Sequence, residues 1–252
     1  MSDKPIIFSG PMVKALLDGR KTQTRRLMKV TPPEYVKHTV APQEKRGEPK
    51  KHPKPYFDAY NGGPHWCWWD EYDRQGDGWM KLPYSKSDRL WVRENAIIAP
   101  PKWTSTPTNP MGPHRQEVAY CAECTDGQFE AARDYGLKKR PSIHMPRWAS
   151  RLTLTVTDVR VQRLNDISSD DARDEGIFQR HAVGDDAAAD CWTWAKDEPR
   201  YPTPQRAFRR LWMNIYGADS WADNPWIVAL TFTVERRNID AASAKTAEEP
   251  HA

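Results

Sequence analysis

The stretch Gly19-Arg20-Lys21-Thr22-Gln23-Thr24-Arg25-Arg26 decides the fold, because it joins a predicted helix to a predicted strand. The residues that follow Ser9 carry apolar side chains at helical spacing, and Gly19 is a residue type that commonly ends a helix. Thr22 to Leu27 is predicted to be the next strand. The sequence therefore predicts a helix, a turn and a strand, with four cations and two threonines from the turn onward.

Lys21 and Thr24 are the pair in this stretch that could carry chemistry. They are three positions apart, so on a regular strand they would face opposite sides unless a bulge or turn lies between them. A desolvated lysine among Arg20, Arg25 and Arg26 would have a lowered pKa and could take a proton from the threonine hydroxyl. Spacing alone favours the simpler interpretation, a solvated cluster of surface cations.

Composition limits the class of protein. A chain of 252 residues is long enough for one large domain. The formal net charge is only +4, so binding to a polyanion would require clustered cations. No segment has the apolar length of a membrane span or a signal-peptide core, so we expect a cytoplasmic protein with no membrane partner. Four cysteines do not make a disulfide framework in a chain of this length.

The remaining sequence alternates between strands and long irregular stretches. Residues 31–87 and 178–202 are predicted to be insertions and 238–252 a disordered tail, which leaves a single domain over 1–237. The other predicted elements are strands at 88–94, 117–121, 151–164 (irregular near 157–158) and 226–234, and helices at 170–175 and 203–217. We expect an α+β, mainly β fold: a small, mostly antiparallel β-barrel with flanking helices and long loop insertions.

Two further groups of residues are candidates for a site. Asp171 and Glu175 share one face of the predicted acidic helix; acids at a helix start ordinarily complement its dipole, but Glu175 lies at the far end. Cys121 and Cys124 form half of a zinc site, which Cys67 with His65 would complete. The second half has no regular spacing, so we expect no metal or other cofactor, with a structural zinc as the alternative.

Arg147-Trp148 follows His144-Met145-Pro146 on a predicted turn. A tryptophan beside an arginine suits a stacked base and its phosphate, and a tryptophan that closes the barrel end is the equal alternative. Glycine-rich phosphate loops, G-x-S-x-G and H-E-x-x-H are absent, which argues against common nucleotide hydrolases, serine hydrolases and zincins.

Four segments resemble the ASCH domain family in its phage and prophage form: FSGPMVKALLDGRKTQTRR, SDRLWVRE, HMPRWASR and ISSDDARDEGI. The resemblance covers most of the chain outside about 31–80, 178–200 and the tail, and it implies a PUA-like barrel with a cleft for a nucleoside or RNA in the host cytoplasm. The chain is longer than small family members and has Ser87-Asp88 where Gly-Asp is the common pattern.

Some small bacterial members of that family remove the acetyl group of N(4)-acetylcytidine. The resemblance carries their functional residues to Lys21, Thr24 and Glu175, so the expected activity is that of an amidohydrolase acting on an acylated nucleoside. The alternatives are a non-catalytic module that binds RNA or a modified base, a ribonuclease, and a phage assembly protein. The residues expected to contact the ligand are Arg20, Arg25, Arg26, Arg93, Glu94, Arg147 and Trp148.

Overall fold

A computed structural model describes residues 2–28, 55–58, 63–66, 80–98, 118–180 and 191–244. The strands are β1 (Asp3–Ile7), β2 (Gln23–Leu27), β3 (Pro55–Asp58), β4 (Gly63–Trp66), β5 (Met80–Lys81), β6 (Arg89–Arg93), β7 (Ala96–Ile98), β8 (Val118–Tyr120), β9 (Lys139–Arg140), β10 (Thr153–Arg163), β11 (Phe178–Arg180), β12 (Cys191–Thr193) and β13 (Trp226–Glu235). The α-helices are α1 (Gly10–Leu17), α2 (Asp126–Asp134), α3 (Ser169–Asp174), α4 (Pro204–Tyr216) and α5 (Ile239–Ala244). The expected α+β, strand-rich class is confirmed.

The centre of the molecule is a five-stranded sheet in the order β1-β6-β10-β13-β2. β1 runs parallel to β6, and the other neighbours are antiparallel. Within the described ranges β1 and β2 are edge strands, and the sheet does not close into a barrel. β1 and β2 nevertheless lie close to each other: Arg26 Nη2 of β2 donates a hydrogen bond to the carbonyl oxygen of Ile7 in β1 at 2.7 Å.

The register of β2 against β13 separates two sets of side chains. Thr24 is opposite Leu230 and Arg26 is opposite Val228, so these residues share one face of the sheet. Arg25 is opposite Ala229 and therefore lies on the other face. Residues of the first face that belong to the apolar core include Ile6, Leu90, Val92, Leu154, Val156, Leu230 and Phe232.

Helices α3 and α4 cover the face that carries Arg25. α4 follows the sequence signals closely: the Thr203 side chain accepts a hydrogen bond from the Arg206 N–H, Pro204 occupies the first turn, and Gly217 ends the helix at φ 101°. Phe208 and Leu211 are buried on its inner side. The predicted irregularity in β10 is confirmed by a register shift between Val156 and Asp158.

Three segments that were predicted to be insertions or tail contain regular structure or core residues, because each of them buries apolar side chains. The predicted tail contains α5, and Ile239 within it is completely buried. The 178–202 insertion contributes β11 and β12, and Trp194 packs in the core. Leu82, placed in the 31–87 insertion, is also a core residue. In addition, α2 was not predicted.

Among the described residues, no helix is long and apolar enough to cross a membrane.

Candidate functional site

Lys21 and Glu175 meet in the interior, 154 positions apart in sequence. Their backbones form an antiparallel bridge, and Lys21 Nζ donates to Glu175 Oε2 at 2.7 Å and to the Glu175 carbonyl oxygen at 2.8 Å. The side chains are only 1% and 4% exposed. Two of the three residues predicted to be catalytic therefore form one buried ion pair.

Gly176 explains how two backbones can come this close. Its φ is +99°, and a Cβ at this position would lie 2.9 Å from Ala15 Cβ and 3.4 Å from Lys21 Cβ. Glycine is therefore needed both for the conformation and for the space. Ser168 and Asp171 form a capping box that fixes the start of α3, and Glu175 follows at the C-terminal end of this helix.

Arg25 extends the ion pair into a buried network that we define as Lys21, Arg25, Asp171 and Glu175. Arg25 Nη1 lies 3.2 Å from Glu175 Oε1, and Arg25 Nη2 lies 3.0 Å from Asp171 Oδ2. The second contact has ion-pair distance without hydrogen-bond geometry, since Nη2 and Nε of Arg25 form no hydrogen bond. Gln23 Nε2 and Arg160 Nη2 donate to Asp171 Oδ1 at 3.1 and 2.9 Å.

The environment shifts two pKa values in the network. Burial lowers the pKa of the Lys21 ammonium, with smaller contributions from Arg26 and Arg25, while the Glu175 carboxylate opposes this shift. Burial alone would raise the pKa of Asp171, but the hydrogen bond from Arg160 and the charge of Arg25 hold it well below its ordinary range. Burial consequently favours the loss of a proton from Lys21.

Thr24, the third predicted catalytic residue, is buried on the sheet face opposite to Arg25. Within the described part of the chain, no hydrogen bond joins its hydroxyl to Lys21 or Glu175. Thr24 shares its face with Arg26, whose Cζ is 5.1 Å from the centre of the Phe8 ring. Lys21 Nζ is 5.5 Å from that same ring, so the ring of Phe8 lies near both cations.

The arginines that were predicted to contact a ligand have different environments. Arg20 forms an ion pair with Asp18 and donates to the carbonyl oxygen of Gly176. The Arg25 side chain is 0% exposed and is paired with the two carboxylates of the network. Arg93 lies 5.3 Å from the Trp91 ring, and its Nε is buried without a hydrogen-bond partner.

Glu94 lies in a second buried ionic cluster, which sequence reasoning did not foresee. Arg151 binds its carboxylate through two hydrogen bonds of 2.9 and 3.1 Å, and also pairs with Glu123. The Arg151 Cζ lies 3.9 Å from the centre of the Tyr120 ring. Burial raises the pKa of Glu94, although the bound Arg151 opposes this shift.

Trp148 is 46% exposed on a 3₁₀ turn, so the expectation that it closes the end of a barrel is not met. Arg147 forms ion pairs with Asp3 and Asp240, at 2.5 and 2.7 Å. Trp148 therefore offers a free aromatic face, while the neighbouring guanidinium is already neutralised.

Of the four residues in the alternative zinc site, only Cys121 and Cys124 have side chains that the structure describes. No group of three or more potential metal ligands occurs among the described residues, and burial raises the pKa of both Cys121 and Cys124, which favours the protonated thiols. Cys67 and the side chain of His65 lie outside the described residues.

Gln23, Arg160 and Phe8 were not predicted to belong to the site, because nothing in the sequence around each of them indicates a partner far along the chain. Gly176 had a usable signal, a glycine directly after an acidic helix. The chain matches no protein-family model, no curated protein and no solved structure.

Proposed function

We propose that the chain is an ASCH-type protein whose central sheet is related to a PUA-like barrel, and that it hydrolyses the amide of an acylated nucleobase such as N(4)-acetylcytidine. The observation that carries the proposal is the buried Lys21–Glu175 pair, with 2.7 Å between Nζ and Oε2. Burying such a pair gains little stability, since desolvation of the two charges offsets their attraction. A buried lysine with a lowered pKa is more typical of a site that transfers protons.

The chemistry assigns one role to each residue. Neutral Lys21 takes the proton from the attacking oxygen. Because Thr24 forms no hydrogen bond to Lys21 or Glu175 within the described residues, that oxygen belongs to a water held by Thr24, or to Thr24 itself once its hydroxyl has moved toward Lys21. The oxygen bonds to the amide carbon, and the carbon–nitrogen bond then breaks. The proton on Lys21 passes through Glu175 to the leaving nitrogen, so that one water is consumed overall. If Thr24 is the nucleophile, water releases acetate from an acetyl-threonine in a second step.

The test is release of acetate from N(4)-acetylcytidine by the full-length chain and by Lys21→Met. We expect turnover by the native chain and a loss of about 10²–10⁴-fold in Lys21→Met. Lys14→Met is the matched control, because it removes an exposed lysine from the nearby helix α1. Circular dichroism checks that each variant is folded. Absence of turnover, or equal turnover in folded Lys21→Met, would contradict the proposal.

A second candidate function, a non-catalytic module that binds RNA, is favoured by the exposed Trp148. Aromatic side chains stack on bases with little sequence preference. This candidate expects Trp148→Ala to weaken the binding of single-stranded RNA in a filter assay, with stronger binding at low salt. Glu175→Gln should leave that binding intact. Lack of binding at low salt would eliminate this candidate.

A further inference from the structure

Arg26 differs from Arg20 and Arg25, the other arginines of the 19–26 stretch, because no carboxylate of the described residues pairs with it. Arg20 pairs with Asp18, and Arg25 pairs with two carboxylates of the buried network. Among the described residues, Arg26 donates only to the Ile7 carbonyl oxygen, at 2.7 Å. Its Nε is buried and forms no hydrogen bond. Among the residues that the structure describes, its positive charge therefore has no counter-ion.

Other donors surround this guanidinium. Thr24 lies two residues earlier on the same face of the sheet. Burial raises the pKa of the Tyr84 phenol, and the nearby charge of Arg26 opposes this shift. Neither Thr24 nor Tyr84 forms a side-chain hydrogen bond with another described residue. Lys21 is close as well, because it and Arg26 both lie near the ring of Phe8, at 5.5 and 5.1 Å.

The charges around this position do not balance. Lys21 and Arg25 are matched by Glu175 and Asp171 in the buried network, so Arg26 adds one unmatched positive charge beside it. A partly buried cation without a counter-ion is costly, because it has lost part of its hydration. An anion supplied by a ligand would remove that cost, and a guanidinium fork is well suited to phosphate oxygens.

We propose that Arg26 and Tyr84 form a phosphate subsite next to Lys21, so that the substrate is a nucleotide or a nucleotide unit of an RNA strand and not a free nucleoside. The inference rests on the proposed function for its choice of the nucleoside. The phosphate itself is inferred from the unmatched charge and the free donors, which do not depend on the reaction.

Isothermal titration calorimetry with cytidine and cytidine 5′-monophosphate tests the subsite without requiring catalysis. We expect the native chain to bind the monophosphate about 10–100-fold more tightly than the nucleoside, the gain typical of charge-assisted hydrogen bonds. Arg26→Gln should abolish this preference and Tyr84→Phe should reduce it. Arg209→Gln removes an exposed cation from α4 and should leave the preference unchanged. If Arg26→Gln does not fold, Arg26→Lys replaces it, with a weakened preference expected.

A short cytidine-containing oligonucleotide identifies the source of the phosphate. Tighter binding of the oligonucleotide than of the monophosphate indicates a phosphodiester, and the reverse order indicates a monoester; in either case Arg26→Gln must remove the gain. Equal binding of cytidine and its monophosphate, no binding of either, or a preference unchanged in folded Arg26→Gln would overturn the subsite. Acetate release without a phosphate preference would remove the subsite and keep the function. A phosphate preference without acetate release would support the phosphate subsite and contradict the proposed hydrolase function.

Discussion

Among the described residues two glutamates are buried, each beside a cation, and the two cations differ in kind. Glu175 is paired with Lys21. The two carboxylate oxygens of Glu94 accept hydrogen bonds from Nε and Nη2 of Arg151. A guanidinium does not release its proton in proteins, whereas a buried ammonium can. The Glu94–Arg151 cluster is therefore suited to hold β6 against the start of β10, while the Lys21–Glu175 pair is able to exchange a proton.

The surroundings of the two pairs strengthen this contrast. Arg151 is 20% exposed and pairs both with the buried Glu94 and with the exposed Glu123, so its cluster reaches the surface. Lys21 is 1% exposed, and burial lowers its pKa. We therefore expect substitutions in the first cluster to change stability, and substitutions in the second to change activity as well.

The largest effect on stability is expected for Arg151→Met. It leaves the Glu94 carboxylate buried and unpaired, which typically costs about 3–5 kcal/mol of unfolding free energy. Urea denaturation measures this loss. The double variant Arg151→Met/Glu94→Gln should recover part of it, and acetate release per folded molecule should stay close to the native value. A loss of turnover in the folded protein would show that the two pairs do not differ as described.

Gly176→Ala is expected to disturb the contact between Lys21 and Glu175. The positive φ and the approach to Ala15 and Lys21 together should lower the unfolding free energy by about 2–3 kcal/mol. Because the added methyl group displaces Lys21 from Glu175, turnover of the folded fraction should fall as well. Gly136→Ala is the matched control, since Gly136 also has a positive φ but no atom within 4 Å of the added Cβ. Equal effects of the two substitutions would contradict this role of Gly176.

Asp171→Asn tests the carboxylate that holds Arg25 in place. It should lower stability by about 2 kcal/mol near neutral pH, because hydrogen bonds to a charged group are lost. The pKa of Asp171 is lowered in the folded state, so its contribution is complete above the ordinary aspartate value and is lost as the pH falls. The difference in unfolding free energy between the native chain and the variant should therefore become smaller below about pH 4. A difference that stays constant down to pH 2 in urea denaturation would contradict this.

The smallest effect is a gain, for Ser87→Gly. Ser87 has φ 70°, a conformation that favours glycine, and it precedes β6, the strand that leads to Glu94. We expect thermal unfolding to show a stabilisation of about 0.5–1 kcal/mol with no change in turnover. This value allows for the greater flexibility of glycine in the unfolded chain. Destabilisation would mean that the serine side chain has a role of its own.

Local patterns in the sequence were enough to predict the elements around the site. Thr203, Pro204 and Gly217 bounded α4, and the alternation in β10 even indicated its irregularity. The resemblance supplied Glu175 as the distant partner of Lys21. Short elements such as β7 and α5 were missed, because they are stabilised by contacts such as the burial of Ile239 and not by their own sequence.

Side-chain partners were harder to predict than elements. Arg25 looks like a surface cation in sequence, and its two carboxylates come from a helix about 150 residues away. The Ser87 departure from the Gly-Asp pattern, by contrast, was visible in sequence, and its φ shows why glycine is suited to that position.

Proton transfer by Lys21 and Glu175 can be followed through the pH dependence of kcat/KM for acetate release from N(4)-acetylcytidine. Lys21 must lose a proton to act as the base, and burial lowers its pKa. The rate should therefore rise with pH and level off below the ordinary lysine pKa of about 10.4, and Lys21→Met should abolish that rise. A profile that is the same in the native chain and in folded Lys21→Met would contradict the account.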